Sequence, residues 1–135
     1  MPDRAFIDTN IFVYTNSDTD IDKRDKARSV LNNYDCIIST QVTNELSNVL
    51  GRKFSKSADE IKAILTAMET VCDIAVLTLE TTRSALDIQT RYNYSFYDAL
   101  ILSTALENNC RYVISEDLQD RQIIEGRLTI LNPFS

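Results

Sequence analysis

Short, uninterrupted apolar runs alternate with longer segments of helical periodicity along this chain. The runs cover residues 4–7, 36–39, 74–77, 112–115 and 128–131. Strands that are apolar at consecutive positions are buried on both faces, which is typical of a parallel sheet covered by helices on each side. The alternation therefore predicts an α/β fold, specifically a three-layer α/β/α sandwich with a central parallel sheet of five strands.

Apolar residues at helical spacing predict helices at residues 23–31, 40–51, 57–68, 81–92 and 95–108, and a helical turn directly after the first strand. Ser39 or Thr40 is placed to cap one helix, which we expect to end near Gly51. Ser57 and Glu60 have the spacing of a capping box. Residues 18–22 are expected to form a solvated loop.

The length of 135 residues, of which 44% are hydrophobic, suits one domain spanning residues 1–135. No apolar run approaches the roughly 20 residues that span a bilayer, and the first residues lack the apolar core of a signal peptide. We therefore expect a cytoplasmic protein without a membrane segment. Cys36, Cys72 and Cys110 form no CxxC pair, so they are expected to be reduced, buried thiols.

The formal net charge is −6, which argues against a protein that holds nucleic acid by a broad positive field. It does not exclude nucleic acid as a substrate, because bound divalent ions would offset acidic residues locally. Arg52, Lys53 and Lys56 are near one another, but a solvated surface explains them better than RNA contact does.

Two candidate carboxylates follow predicted strands. Asp8 comes directly after the first strand, and Asp117 comes two residues after Ser115 closes another. In open parallel sheets the ligand crevice lies beyond the carboxyl ends of the strands, so both acids point to one rim. Each also has an ordinary explanation as a turn residue or helix cap.

Two further carboxylates lie on apolar faces of predicted helices. Glu45 is three residues after Val42 and four before Val49, and Asp98 shares a face with Ile101. A buried carboxylate needs a compensating cation or hydrogen-bond donors. Alternatively, Glu45 lies at the edge of the apolar stripe, and Asp98 only stabilises a helix start.

The four acids together suit a hard divalent cation, because the sequence contains no histidine and carboxylate oxygens prefer Mg²⁺ or Mn²⁺. One or two such ions would orient a water and stabilise the departing oxygen of an in-line displacement at phosphorus. Thr9, Asn10 and Ser115 are candidates to hydrogen-bond the carboxylates or metal-bound waters. A turn-forming role explains these three residues equally well.

Two other metal-dependent α/β families fit poorly. A haloacid-dehalogenase-like phosphatase needs a second Asp two residues after the first, where this chain has Asn10. A response-regulator receiver needs an acidic pair near the first strand and a lysine after the last strand, and residues 128–135 contain no lysine.

The order and spacing of four motifs resemble those of PIN-domain ribonucleases, and more narrowly of VapC-type toxins of toxin–antitoxin pairs. The motifs are Phe6-Ile7-Asp8-Thr9-Asn10, Glu45 in the helix that follows Ser39-Thr40-Gln41-Val42, Tyr97-Asp98-Ala99-Leu100-Ile101, and Ser115-Glu116-Asp117-Leu118. The resemblance covers nearly the whole chain and implies a three-layer sandwich that uses Mg²⁺ or Mn²⁺ to cleave RNA.

By position, the resemblance implies that Asp8, Glu45 and Asp98 are metal ligands and that Asp117 is a fourth acid, with Glu116 and Asp120 as alternatives to it. It also implies a homodimer and a cognate antitoxin that covers the site. A catalytically silent PIN-like domain, acting as an RNA- or protein-interaction module, is the alternative function, and loss of one acid would indicate it. All four acids are present.

Overall fold

The computed structural model describes residues 2–135. The strands are β1 (Arg4–Ile7), β2 (Asp35–Ser39), β3 (Cys72–Ala75), β4 (Tyr112–Ile114), β5 (Ile123–Ile124) and β6 (Leu128–Leu131). The helices are α1 (Thr9–Thr15), α2 (Ile21–Asn33), α3 (Thr40–Lys53), α4 (Ala58–Val71), α5 (Leu79–Tyr92) and α6 (Phe96–Glu107).

Within that range the strands form one sheet in the order β3-β2-β1-β4-β6-β5. All pairs are parallel except β5 with β6. The chain runs from β1 outward to β2 and β3, then returns to place β4 on the other side of β1. The strand order therefore reverses between the neighbouring strands β1 and β4. Such a topological switch point is where open α/β sheets bind ligands.

Helices cover both faces of this sheet. Ala5, Phe6 and Ile7 are consecutive in β1 and fully buried, and consecutive strand residues point to opposite faces. Helix α1 packs against α2 and α3, and α3 packs against α4, whereas α5 packs against α6. Helix α6 also contacts β1 and β4. The predicted α/β sandwich is confirmed.

The predicted helix starts are mostly confirmed. Ser57 and Glu60 form the expected capping box, and Ser95 Oγ accepts a hydrogen bond from the backbone N–H of Asp98 at 3.2 Å. Ser39 occupies the N-cap position of α3, but its buried hydroxyl makes no hydrogen bond within the described chain. Helix α2 begins at Ile21, inside the expected loop, because Asp20 caps it through the backbone N–H of Lys23.

The third strand lies two residues earlier than predicted, at Cys72–Ala75 instead of residues 74–77. Helix α4 runs to Val71 and passes into the strand without a loop, so the strand pairs with β2 from its first residue. Val76, which belongs to the apolar run, is 74% exposed. An apolar run alone could not reveal this boundary.

A sixth strand was not predicted, and helix α3 also extends beyond its expected end. Strand β5 has two residues and forms an antiparallel hairpin with β6 through Glu125 and Gly126, which both have positive φ. Two residues are too few to show a strand periodicity. Helix α3 continues two residues past Gly51 to Lys53, and a positive φ follows at Ser55.

The three cysteines are free and buried, as predicted. Among residues 2–135, no helix combines the length and apolar character needed to cross a membrane.

Candidate functional site

The candidate site lies at the carboxyl ends of β1 and β4, on either side of the switch point. Ile7 and Ile114 are register partners, so the residues that follow them meet at the same edge of the sheet. The backbone N–H of Asp8 donates to the carbonyl of Ile114 at 3.0 Å, and Ser115 Oγ donates to Asp8 Oδ2 at 2.7 Å.

Asp8 is a buried carboxylate with only 5% of its surface exposed. It caps α1, since its Oδ1 accepts from the backbone N–H of Thr9 at 2.7 Å. Burial raises the pKa of Asp8 to about 6, against the lowering effect of hydrogen bonds from Ser115 and Thr9. The negative charges of Glu45 and Asp117 raise this pKa further.

Asn10 connects Asp8 with Asp117. Its Nδ2 donates to Asp117 Oδ2 at 3.0 Å and lies 3.4 Å from Asp8 Oδ2. Its Oδ1 accepts from the backbone N–H of Glu116 at 3.3 Å. The backbone N–H of Asp117 donates to Ser115 Oγ at 3.2 Å, so the loop after β4 is held against the start of α1. Asp117 itself is exposed.

Glu45 reaches the same site from α3. Its Oε2 accepts from Thr9 Oγ1 at 2.8 Å, and its Oε1 accepts from Gln41 Nε2 at 2.9 Å. Glu45 is half-buried, so it lies at the edge of the buried face of α3 and part of its side chain remains accessible to solvent. Asp8, Glu45 and Asp117 thus belong to one hydrogen-bonded network that includes Thr9, Asn10 and Ser115.

Gln41 joins that network to the start of α6, and sequence reasoning gave it no role. It is 7% exposed, and its Nε2 also donates to the carbonyl of Tyr97 at 3.2 Å. Its Oε1 is buried without a hydrogen-bond partner in the described part of the chain. The i, i+4 spacing of Gln41 and Glu45 on one helix predicts their contact, but not the contact with Tyr97.

Asp98 lies next to Tyr97, in the first turn of α6, and is half-buried. Its carboxylate accepts no hydrogen bond from another residue in the range 2–135. The structure therefore brings it beside the network through Gln41 and Tyr97 but not into it. In that same range, no three acidic or cysteine side chains already enclose a position for one ion.

The two alternatives to Asp117 are held by other contacts. Glu116 accepts from Tyr14 at 3.0 Å and from Lys23 Nζ at 3.1 and 3.2 Å. Asp120 accepts from the backbone N–H of Asn132 at 2.8 Å and from Ser135 Oγ at 3.0 Å. Sequence spacing could not reveal these contacts, because Lys23 is 93 residues from Glu116.

The donor set fits a hard divalent cation. All the candidate ligands are carboxylate oxygens, with hydroxyl and amide groups around them. Asp8 is buried with a raised pKa and no basic side chain within hydrogen-bond distance among residues 2–135, so its ionised form lacks the cation that burial demands. A divalent ion between these acids would supply that charge.

A family model described as "PIN domain" matches residues 5–123 of this chain. The comparison with curated proteins gave no match.

Solved structures with the same fold include components of toxin–antitoxin systems. A toxin–antitoxin complex from Klebsiella pneumoniae matches with a TM-score of 0.72 and 21% identity over 96% of this chain and 97% of that chain. VapC20 from Mycobacterium tuberculosis, a sarcin–ricin-loop-cleaving toxin, matches with a TM-score of 0.68 and 18% identity over 84% of this chain and 91% of that chain. VapBC2 from Rickettsia felis, bound to a promoter DNA fragment, matches with a TM-score of 0.68 and 18% identity over 96% of this chain and 99% of that chain.

Proposed function

This chain belongs to the PIN-domain family, and we propose that it is a metal-dependent endoribonuclease that hydrolyses phosphodiester bonds of RNA in the cytoplasm. The observation that carries this proposal is the network of Asp8, Glu45 and Asp117 at the switch point, built around a buried carboxylate. A purely structural network would not need three acids at one edge of the sheet, and none of the three forms an ion pair with a basic side chain among residues 2–135.

We propose that Asp8, Glu45, Asp98 and Asp117 hold Mg²⁺ or Mn²⁺. Such an ion, when bound, supplies the charge that stabilises the transition state at phosphorus and acidifies a water. Asp8 anchors the site because its backbone and side chain are both tied to the end of β4. Asp98 joins the ligands by a change of side-chain rotamer, since the carboxylate makes no competing hydrogen bond within residues 2–135.

Thr9, Asn10 and Ser115 orient these acids. Thr9 holds one oxygen of Glu45, Ser115 holds one oxygen of Asp8, and Asn10 donates to Asp117. Both oxygens of Asp8 and both oxygens of Glu45 accept hydrogen bonds, which fix the planes of the two carboxylates. Each carboxylate oxygen has two lone pairs, so lone pairs remain for a metal or a metal-bound water. The site is therefore largely preorganised by neutral donors.

Asp117 is the best candidate for the fourth acid. Glu116 is already neutralised by Lys23, and both oxygens of Asp120 are used to hold the last residues of the chain. The hydrogen bonds that Lys23 Nζ donates to Tyr14 and Glu116 raise the pKa of Lys23, as expected for a cation with a local partner. Asp117 is exposed and faces Asn10, so its carboxylate remains available to solvent, metal and substrate.

We further propose that the protein is the toxin of a toxin–antitoxin pair, acts as a homodimer and is inhibited by a cognate antitoxin. The support is the shared fold with a toxin–antitoxin complex and with VapC20, over most of each chain. VapC20 is a toxin that cleaves the sarcin–ricin loop. For this chain we infer the class of substrate, RNA, and not that particular site.

Cleavage of purified total RNA with Mg²⁺, with Mn²⁺ or with EDTA tests the activity. We expect discrete fragments with either ion, loss of cleavage with EDTA, and at least a hundredfold loss in Asp8→Asn. Asp120→Asn is the matched control, since it removes an acid outside the network, and it should retain activity. Equal activity of Asp8→Asn and the natural protein, or no activity together with no metal binding, would refute the proposal.

Induced expression tests the toxin assignment. We expect growth arrest that is relieved by coexpression of a small DNA-binding protein encoded immediately upstream, and a single defined RNA cut in mapped transcripts. Growth arrest by Asp8→Asn to the same extent would show that toxicity does not come from nuclease activity.

A further inference from the structure

A cleft of about 340 Å³ opens beside the candidate metal site, between α1 and α3. Its lining residues are Thr9, Asn10, Val13, Tyr14, Val49, Lys53 and Asp117. Three of them, Thr9, Asn10 and Asp117, belong to the acidic network described above. The cleft is therefore continuous with the site at which phosphodiester hydrolysis is proposed.

The polarity of the cleft changes from one end to the other. The acidic and amide groups lie at the network end, and the wall between the helices is formed by Val13, Val49 and the ring of Tyr14. Lys53 is the one basic residue among the described residues that line it. An apolar wall with a cation beyond it suits a nucleotide, which presents a flat base and an anionic phosphate.

Lys53 is free to bind a phosphate. It is exposed at the C-terminal end of α3, and it forms no ion pair with another residue in the range 2–135. Lys23 on α2 is in contrast bound to Glu116 and lies over the Tyr14 ring. The two lysines near the site thus differ: Lys23 is engaged in an ion pair within the protein, whereas Lys53 is available to a ligand.

We propose that this cleft binds the nucleotide next to the scissile phosphate, with Lys53 contacting the neighbouring phosphate and Val13, Val49 and Tyr14 contacting the sugar and base. This inference rests on the proposed ribonuclease function and adds the subsite that positions the RNA strand. Because the net charge of −6 opposes RNA binding, a cation beside the acids offsets part of the repulsion of the neighbouring phosphate. The apolar wall makes the subsite tolerant of base identity.

Arg52 provides a matched control for Lys53. It is the adjacent residue on the same helix turn, is exposed, and has the same charge, but it does not line the cleft. Replacing either residue by Met removes one positive charge from the end of α3. A difference in RNA affinity between the two variants therefore reflects the position of Lys53 in the cleft and not the change in net charge.

The experiment measures binding of a fluorescently labelled single-stranded RNA decamer by anisotropy with Mg²⁺ present, in an Asp98→Asn background that prevents cleavage. We expect Lys53→Met to raise the dissociation constant about five- to tenfold and to reduce the slope of log Kd against log salt concentration by about 0.7. Arg52→Met should change the dissociation constant less than about twofold.

A gain of affinity gives a second test that does not depend on weakening the protein. Val49→Lys adds a cation to the cleft, whereas Asn48→Lys adds one to the exposed face of the same helix. We expect Val49→Lys to tighten RNA binding, because the aliphatic stem of lysine keeps the apolar contact while its ammonium adds a charge, and Asn48→Lys to have a smaller effect.

The outcomes separate the two proposals. Equal effects of Lys53→Met and Arg52→Met, or of Val49→Lys and Asn48→Lys, would overturn the subsite while leaving the nuclease proposal intact. Absence of RNA binding by the Asp98→Asn parent, together with absence of cleavage by the natural protein, would overturn both.

Discussion

At the scale of single residues, the molecule places an acid where burial opposes its charge. Asp8 is 5% exposed, and its pKa is raised to about 6 chiefly by burial. Because the folded-state pKa lies above the ordinary value of 3.8, the folded protein binds more protons than the unfolded chain between these two values. The free energy of unfolding therefore decreases as the pH rises from about 4 to about 6.

We expect Asp8→Asn to stabilise the metal-free protein at pH 7 by about 1–3 kcal/mol, because it removes a buried negative charge near two other acids. The difference from the natural protein should shrink as the pH is lowered toward 4. Urea unfolding at several pH values with EDTA present measures it. Asp120→Asn is a control for which we expect the opposite effect. Hydrogen bonds lower the pKa of Asp120, so removing its negative charge should destabilise the folded protein at neutral pH. A destabilised Asp8→Asn protein at pH 7 would show that the carboxylate is compensated.

Gln41 illustrates a different effect at the same scale, because it is a neutral residue that donates a hydrogen bond to Glu45. Gln41→Met removes the donor to Glu45 and to the carbonyl of Tyr97 while keeping a side chain of similar length. We expect the dissociation constant for Mn²⁺, measured by isothermal titration calorimetry, to rise about tenfold. Gln89→Met on α5 serves as the control. If Gln41→Met lowers only the melting temperature and leaves Mn²⁺ binding unchanged, the residue is structural.

At the scale of elements, the strands and helices follow from local patterns, but some boundaries do not. Every residue of α6 from Ala99 to Ala105 is buried, in agreement with the strongly apolar sequence of this helix. The two-residue strand β5 and the direct passage from α4 to β3 depend on pairing with strands distant in sequence. Periodicity reports how a segment is buried, and it contains no information about which partner ends it.

The burial of α6 yields a prediction at this scale. Leu102 is fully buried, whereas Leu86 on α5 is 50% exposed. Leu102→Ala should lower the free energy of unfolding by about 3 kcal/mol because it leaves a cavity, and Leu86→Ala by less than about 1 kcal/mol. Urea denaturation compares them directly. Similar losses for both variants would show that α6 is less tightly packed than the structure indicates.

At the scale of the whole molecule, the three thiols report on opening of the sheet. Cys36 and Cys72 are register partners on β2 and β3, and Cys110 precedes β4. Burial raises the pKa of Cys110 to about 11, which suppresses the reactive thiolate. We expect a thiol reagent to label none of the three in the native protein within minutes at pH 7.5, and all three after unfolding in urea. Fast labelling of one thiol in the native state would reveal local opening of that strand.

The sequence by itself determined the class of fold and the acids worth considering. Both depend on local pattern: apolar runs define buried strands, and a carboxylate that follows a strand or lies on an apolar helix face is visible in the order of residues. Which groups meet the acids was decided only by the tertiary structure. Asn10 and Asp117 are 107 residues apart, Gln41 and Tyr97 are 56 apart, and Glu116 is taken by Lys23 across 93 residues. Such contacts arise from the register and order of the strands, which no local periodicity contains.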